Sequence, residues 1–168
     1  FPSGKYVLLT DTKAGVGKSR LYVMDIRDGK IFQLLQQADS QVFASWHPYK
    51  DQIVFVLATE SGSRIYKINI DGTDLELLGG GRQWDRYPMW AKNGGEIVFL
   101  SSSIWEPFTV PETDIYMMKE NGDNLRKLTS EPIRMSGVAL SPDGLSLAFS
   151  APSGEEDIFV MDFEGGNV

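Results

Sequence analysis

The chain has 168 residues, no cysteine and one histidine, His47. The first absence excludes disulfides, thiolate metal sites and a cysteine nucleophile. The second leaves any catalytic zinc to be held by carboxylates, an unusual ligand set. A chain without cysteine fits an exported bacterial protein. No apolar run approaches the length of a membrane span, and no long stretch carries helical periodicity. The 16 Lys and Arg are dispersed against 23 Asp and Glu, for a formal net charge of -7, which argues against nucleic acid as a partner. There is no G-x-S-x-G elbow to pair with His47 in a Ser-His-Asp triad. No pair of carboxylates is set by spacing for glycoside hydrolysis. The length suits one domain with a proper core. No signal peptide is visible, since the chain opens in what reads as the middle of a structural unit.

What the sequence does contain is a repeat. Four segments align: "PSGKYVLLT…RLYVMDIRDGKIFQLL", "SWHPYKDQIVFVLATESGSRIYKINIDGTDLELL", "MWAKNGGEIVFLSSS…DIYMMKENGDNLRKLT" and "ALSPDGLSLAFSAPSGEEDIFVMDFEGGNV". An aromatic recurs at Tyr22, Tyr66, Tyr116 and Phe159, at spacings of 44, 50 and 43. Glycines close the same strand at Gly29, Gly72, Gly122 and Gly165, and an aliphatic marks the preceding one at Val7, Ile53, Ile97 and Leu147. Each period reads as four short antiparallel strands joined by Pro/Asn/Asp/Gly turns, which is the arithmetic of a β-propeller blade. The expected architecture is all-β: four consecutive blades, near 1–37, 38–80, 81–130 and 131–168. The first lacks its inner strand and the last its outer one, as in part of a longer propeller. A self-associating partial ring is the alternative.

One stretch invites a different reading. "TKAGVGKS", residues 12–19, matches the end of a P-loop, with Thr12 where the first glycine belongs. A P-loop needs a helix N-terminus after Ser19. The following "RLYVMDIRDG" reads as a strand and a turn, so the segment is expected to be the first of four equivalent connections.

The wording of the repeat resembles the TolB-type propeller family. "LSPDGLSLAFSA" with "DIFVMDFEGGN", and "DIYMMKENGDNLRKLT", are similar to its W-S-P-D-G, I-A-F, I-Y-x-M-D and R-x-L-T pattern. The second repeat departs from it, with His47-Pro48-Tyr49-Lys50 in place of Ser-Pro-Asp-Gly. The resemblance covers essentially the whole chain. It implies a non-catalytic, exported scaffold of the cell envelope, without cofactor, that binds a protein or peptide. Related repeats also serve prolyl-oligopeptidase-like peptidases and oligogalacturonate lyases. An enzyme's propeller therefore remains an alternative, although the lyase metal site uses several histidines and this chain has one.

In an up-and-down blade, the connections of second to third strand share a face with those between blades. On that face "GGGRQWDRYP" offers Trp84, Asp85, Arg86 and Tyr87, read as part of a loop spanning Gly79 to Arg86. The insertion "SSSIWEPFTVPETD" adds Ile104, Trp105 and Phe108. Aromatic and Arg side chains on a loop face are the types that dominate interface energies. These seven residues form the expected partner site. Two other readings stay open: Trp105 and Phe108 folded back as a small satellite core, or Trp84 and Trp105 as stacking platforms for carbohydrate. Trp46 and Trp90 are expected to pack, and His47 to serve a turn. Glu155-Glu156-Asp157 and Glu112 with Asp114 read as solvated acidic loops; no metal is assigned to them.

Overall fold

The computed structural model describes residues 4–12, 18–36, 39–104, 111–135, 137–152 and 156–163. Among these residues there are fifteen strands and no helix. The first repeat forms the antiparallel sheet β1 (Tyr6–Thr12), β2 (Ser19–Asp25), β3 (Ile31–Gln33). The second contributes β4 (Ser40–Trp46), β5 (Gln52–Thr59), β6 (Gly62–Asn69) and β7 (Glu76–Gly79). The third contributes β8 (Trp84–Trp90), β9 (Glu96–Ser102), β10 (Glu112–Lys119) and β11 (Arg126–Lys127). A short β12 (Ile133–Arg134) crosses from β10 toward the last sheet, β13 (Gly137–Leu140), β14 (Ser146–Pro152) and β15 (Glu156–Asp162). Ser19 opens strand β2 directly, so no helix follows the P-loop look-alike.

The register bears out the repeat alignment. Leu9 faces Tyr22, Phe55 faces Tyr66, Phe99 faces Tyr116 and Phe149 faces Phe159, one equivalent pair in each sheet. The second and third sheets share one backbone bridge, Ser63 to Trp84. Side chains hold the repeats together in three apolar clusters, one at each junction of neighbours. This explains why "IVFVL" in β5 is buried along its whole length and does not alternate. Ile53, Phe55 and Leu57 pack toward the first repeat, while Val54 and Val56 pack toward the third. At about 25 cal/mol per Å² of apolar surface, a side chain such as Phe55 adds roughly 2 to 3 kcal/mol. Trp90 is in the core and Trp46 packs against it, as expected.

The closing glycines have a double reason. Gly72 and Gly122 sit at φ 85° and 87°, each donating to a carbonyl three residues back, Asn69 and Lys119. A Cβ on Gly122 would also lie 2.4 Å from the Leu78 carbonyl of the preceding repeat. Conformation and close approach both exclude a side chain there.

Candidate functional site: the strand-end cleft between the second and third repeats

β4 and β8 run side by side and carry the same irregularity. Each shifts register against its partner, between Val42 and Ser45 and between Arg86 and Met89. Within these bulges Phe43 and Tyr87 adopt left-handed φ values of 52° and 50°, and their rings lie 4.3 Å apart. Left-handed backbone in an aromatic residue is strained and persists only when its surroundings fix it. Between the heads of these strands lies an open cleft of about 1040 Å³, lined in part by Lys18, Phe43, Glu60, Ser63, Trp84 and Arg86.

The crossover 79–83 leads into Trp84 at this cleft's wall and is pinned at Gly81, Arg82 and Gln83. The Asp85 carboxylate accepts from Gly81 N at 3.1 Å and from Ser101 Oγ at 2.6 Å, both on Oδ1. Arg82 N donates to Ser101 Oγ, and the Gln83 carbonyl accepts from Ser63 N and from the Arg64 guanidinium. Gly80 fits closely against Asp85: a Cβ there would sit 1.7 Å from Asp85 Oδ2, so the carboxylate would have to move. Asp85 is wholly buried, its Oδ2 makes no hydrogen bond, and Arg64 Nη1 stands 3.7 Å away. Burial pushes its pKa up to about 6, against the lowering effects of Ser101, Gly81 and Arg64.

The sequence-expected residues therefore part company. Trp84, Asp85, Arg86 and Tyr87 belong to strand β8, not to the interblade loop; the crossover ends at Gln83 because Trp84, Asp85 and Arg86 pair with Ser102, Ser101 and Leu100. Trp84, Asp85 and Arg86 all border the cleft, Asp85 also holding the crossover from beneath, while Tyr87 packs on the core. Ile104 is exposed and tied to the same place: Arg86 Nη2 donates to Ser102 Oγ at 3.0 Å, which donates to the Ile104 carbonyl at 2.8 Å. Trp105 and Phe108 lie outside the described residues.

Two polar groups found no place in the expected site. Asp114 is fully buried rather than solvated, paired with Arg82 at 2.8 Å and Lys127 at 3.5 Å and accepting from Thr129 Oγ1. Those cations neutralise the charge that a metal would need. Gln41 stands at the position of Asp85 in the second repeat, receiving Leu21 N and donating to the Leu35 carbonyl. A polar residue at the same place in two strands, otherwise reserved for packing, is the signal that marks Asp85.

At the opposite end of the strands His47 is buried, with its ring 4.5 Å from that of Trp90. Nδ1 accepts from Tyr49 N and Lys50 N at 2.9 Å each, which assigns the proton to Nε2, directed at the Gly94 carbonyl 3.2 Å away. Burial, then the nearby Lys50 charge, lowers its pKa. The turn role expected of His47 holds.

No protein-family model matches the chain, and no curated protein matches it in sequence. Its fold is that of the TolB-like and related propeller proteins. The putative TolB from Agrobacterium tumefaciens superposes with a TM-score of 0.80 at 20% identity, over 99% of this chain and 60% of that one. TolB from Acinetobacter baumannii gives 0.74 at 16%, over 99% and 40%. An oligogalacturonate lyase in complex with manganese gives 0.67 at 22%, over 89% and 40%. At these identities the likeness shows the fold alone. The chain thus spans about half the length of the TolB structures it matches. No helix among the described residues is long and apolar enough to cross a membrane.

Proposed function

We propose that the chain is a run of four propeller blades acting as a non-catalytic, exported scaffold, which binds a protein or peptide at the cleft beside Trp84, Arg86 and Ile104. The carrying observation is the pinned crossover. It anchors the start of β8, which presents an aromatic and a guanidinium, Trp84 and Arg86, at the mouth of a cleft of about 1040 Å³. Such preorganisation reduces the ordering cost of binding, and Trp and Arg are the residue types that anchor interfaces. The TolB-like fold supports a scaffold role and, by analogy, export. The sole histidine supports the non-catalytic reading, since both of its nitrogens are engaged at the far end of the strands from the cleft.

The test is selection of a random peptide library on the immobilised chain, with selected peptides remeasured by calorimetry. Trp84→Ala and Arg86→Ala are each expected to weaken binding about tenfold or more, with an unchanged melting temperature. Peptides that bind both variants as tightly as the parent, or an empty selection, would remove the cleft from consideration.

A further inference from the structure

The charged groups around the cleft fall into two sets. The arginines are engaged within the molecule. Arg86 donates to Ser102 Oγ at 3.0 Å, and Arg64, beside the wall, donates to the Ser63 and Gln83 carbonyls at 2.8 and 2.9 Å. The carboxylates are not so occupied. Asp39, just ahead of β4, and Glu60, between β5 and β6, both line the cleft. Neither has a hydrogen bond or ion pair among the described residues. Asp85 borders the cleft as a third carboxylate, wholly buried, its Oδ2 without a hydrogen bond and 3.7 Å from Arg64 Nη1. Against these the lining offers one cation without a partner among the described residues, Lys18.

Asp39 and Glu60 also stand on anchored backbone. Thr59 Oγ1 donates to the Gly62 carbonyl at 3.0 Å, and Gln83 Nε2 donates to the Ser61 carbonyl at 2.7 Å, tying the Glu60 turn to the crossover. Ser40 Oγ, next to Asp39, accepts from Ser19 N at 3.0 Å. Turn carboxylates at the other end of the strands are consumed locally: Asp25 by Arg27, Asp28 by Lys30, Asp71 by Thr73 and Asp143 by Ser141. A fixed carboxylate with no local partner is open to a cation from outside. Aromatic surface lies beside these two. Phe43 and Trp84 line the same cleft, and Phe43 is held against Tyr87 by left-handed backbone. Strain of this kind, about 1 to 3 kcal/mol per residue, gathers at ligand sites. Ring faces attract cations, and Val42 and Ala58 add apolar surface for a long stem.

We infer that the cleft receives a basic side chain of its partner, an arginine, whose guanidinium pairs with Asp39 and Glu60 and stacks on the aromatic wall. This rests on the cleft being the peptide site and specifies what the peptide carries. Arginine suits it better than lysine, because a planar fork both pairs with carboxylates and lies flat on a ring. Arg86 is left for main-chain carbonyls of the partner. The net charge of -7 draws a basic segment in and favours its approach.

The test uses two random peptide libraries on the immobilised chain at about 0.15 M salt, one with arginine and lysine and one lacking both. Binders are expected from the first only. In calorimetry, replacing their arginine by citrulline, equal in shape and uncharged, should weaken binding about tenfold. The pair Asp39→Asn and Glu60→Gln should do the same. The pair Asp51→Asn and Glu96→Gln removes as much charge at the other end of the strands and should change affinity less than about twofold. Equal binders from both libraries would leave the cleft as a peptide site and overturn the arginine. Equal weakening by the two pairs of substitutions would reduce the effect to general attraction by an acidic chain and overturn it as well. Empty selections from both would remove the peptide site and this inference together.

Discussion

The junction between the second and third repeats buries His47 at one end and Asp85 at the other, and treats the two in opposite ways. At the foot, His47 has a partner for both ring nitrogens, two backbone N–H groups on one and a carbonyl on the other. At the head, Asp85 has one oxygen engaged twice and the other without a hydrogen bond. A fully satisfied polar group makes a rigid closure, whereas a buried carboxylate held on one side carries an uncompensated desolvation cost. The costly group lies under the cleft, and the satisfied one lies away from it. Buried polar groups thus divide by role here: His47 closes the fold, and Asp85 shapes a surface.

The sharpest way to break this contrast is to crowd each group. A Cβ at Gly94, where φ is +72°, would meet the His47 ring at 2.7 Å. Gly94→Ala is expected to lower unfolding free energy by about 3 kcal/mol in urea titrations, from left-handed strain and lost packing together. Gly80→Ala meets a carboxylate fixed on one oxygen only, and about 2 kcal/mol is expected. The reverse order would mean that the head, not the foot, is the rigid end.

Titration comes next, with opposite signs at the two ends. Asp85 has its pKa raised from 3.8 to about 6, so the folded state binds the extra proton between those values. Its stabilising share is complete below the unfolded value and is lost as pH rises through about 6. Asp85→Asn should therefore raise stability at pH 7.5 by roughly 1 to 2 kcal/mol and lose that advantage below about pH 4. No gain at pH 7.5 would show that Arg64 and Ser101 fully compensate the charge.

His47 is the mirror case and the smaller effect. Its folded pKa lies below the ordinary histidine value of 6.5, so its contribution is complete above about 6.5 and is lost as pH falls through the folded value. The proton would enter at Nδ1, where two N–H groups already point. His47→Asn keeps an acceptor near those donors. It is expected to cost about 1 kcal/mol at neutral pH and to flatten the melting temperature between pH 6.5 and 5. A slope unchanged in the variant would move the acid sensitivity elsewhere.

Much of the fold was legible in the sequence because each repeat tests the others. The equivalence of Tyr22, Tyr66, Tyr116 and Phe159 predicts the strand register observed, and the glycine spacing predicts the left-handed turns at Gly29, Gly72 and Gly122. The start of β8 was not legible. Three glycines followed by Arg-Gln-Trp-Asp-Arg look like one continuous loop, and only the facing strand shows that pairing resumes at Trp84. Left-handed Phe43 and Tyr87 leave no trace in residue type, because the bulge is imposed by the adjoining strand. The burial of Asp85 had a trace that is easily missed: Gln41 and Asp85 are polar at one repeat position. Of the candidate partner site, the neighbourhood of Trp84, Arg86 and Ile104 was legible from loop order, while the supporting part of Asp85 required coordinates.

Among the described residues, the second and third sheets share only the backbone bridge from Ser63 to Trp84, which has an evolutionary consequence. Sheets that meet through side chains, and scarcely through main chain, can be duplicated or deleted in frame while every surviving ladder keeps its register. A gene built this way changes its count of units by simple copying, and selection then acts only on the faces newly brought together.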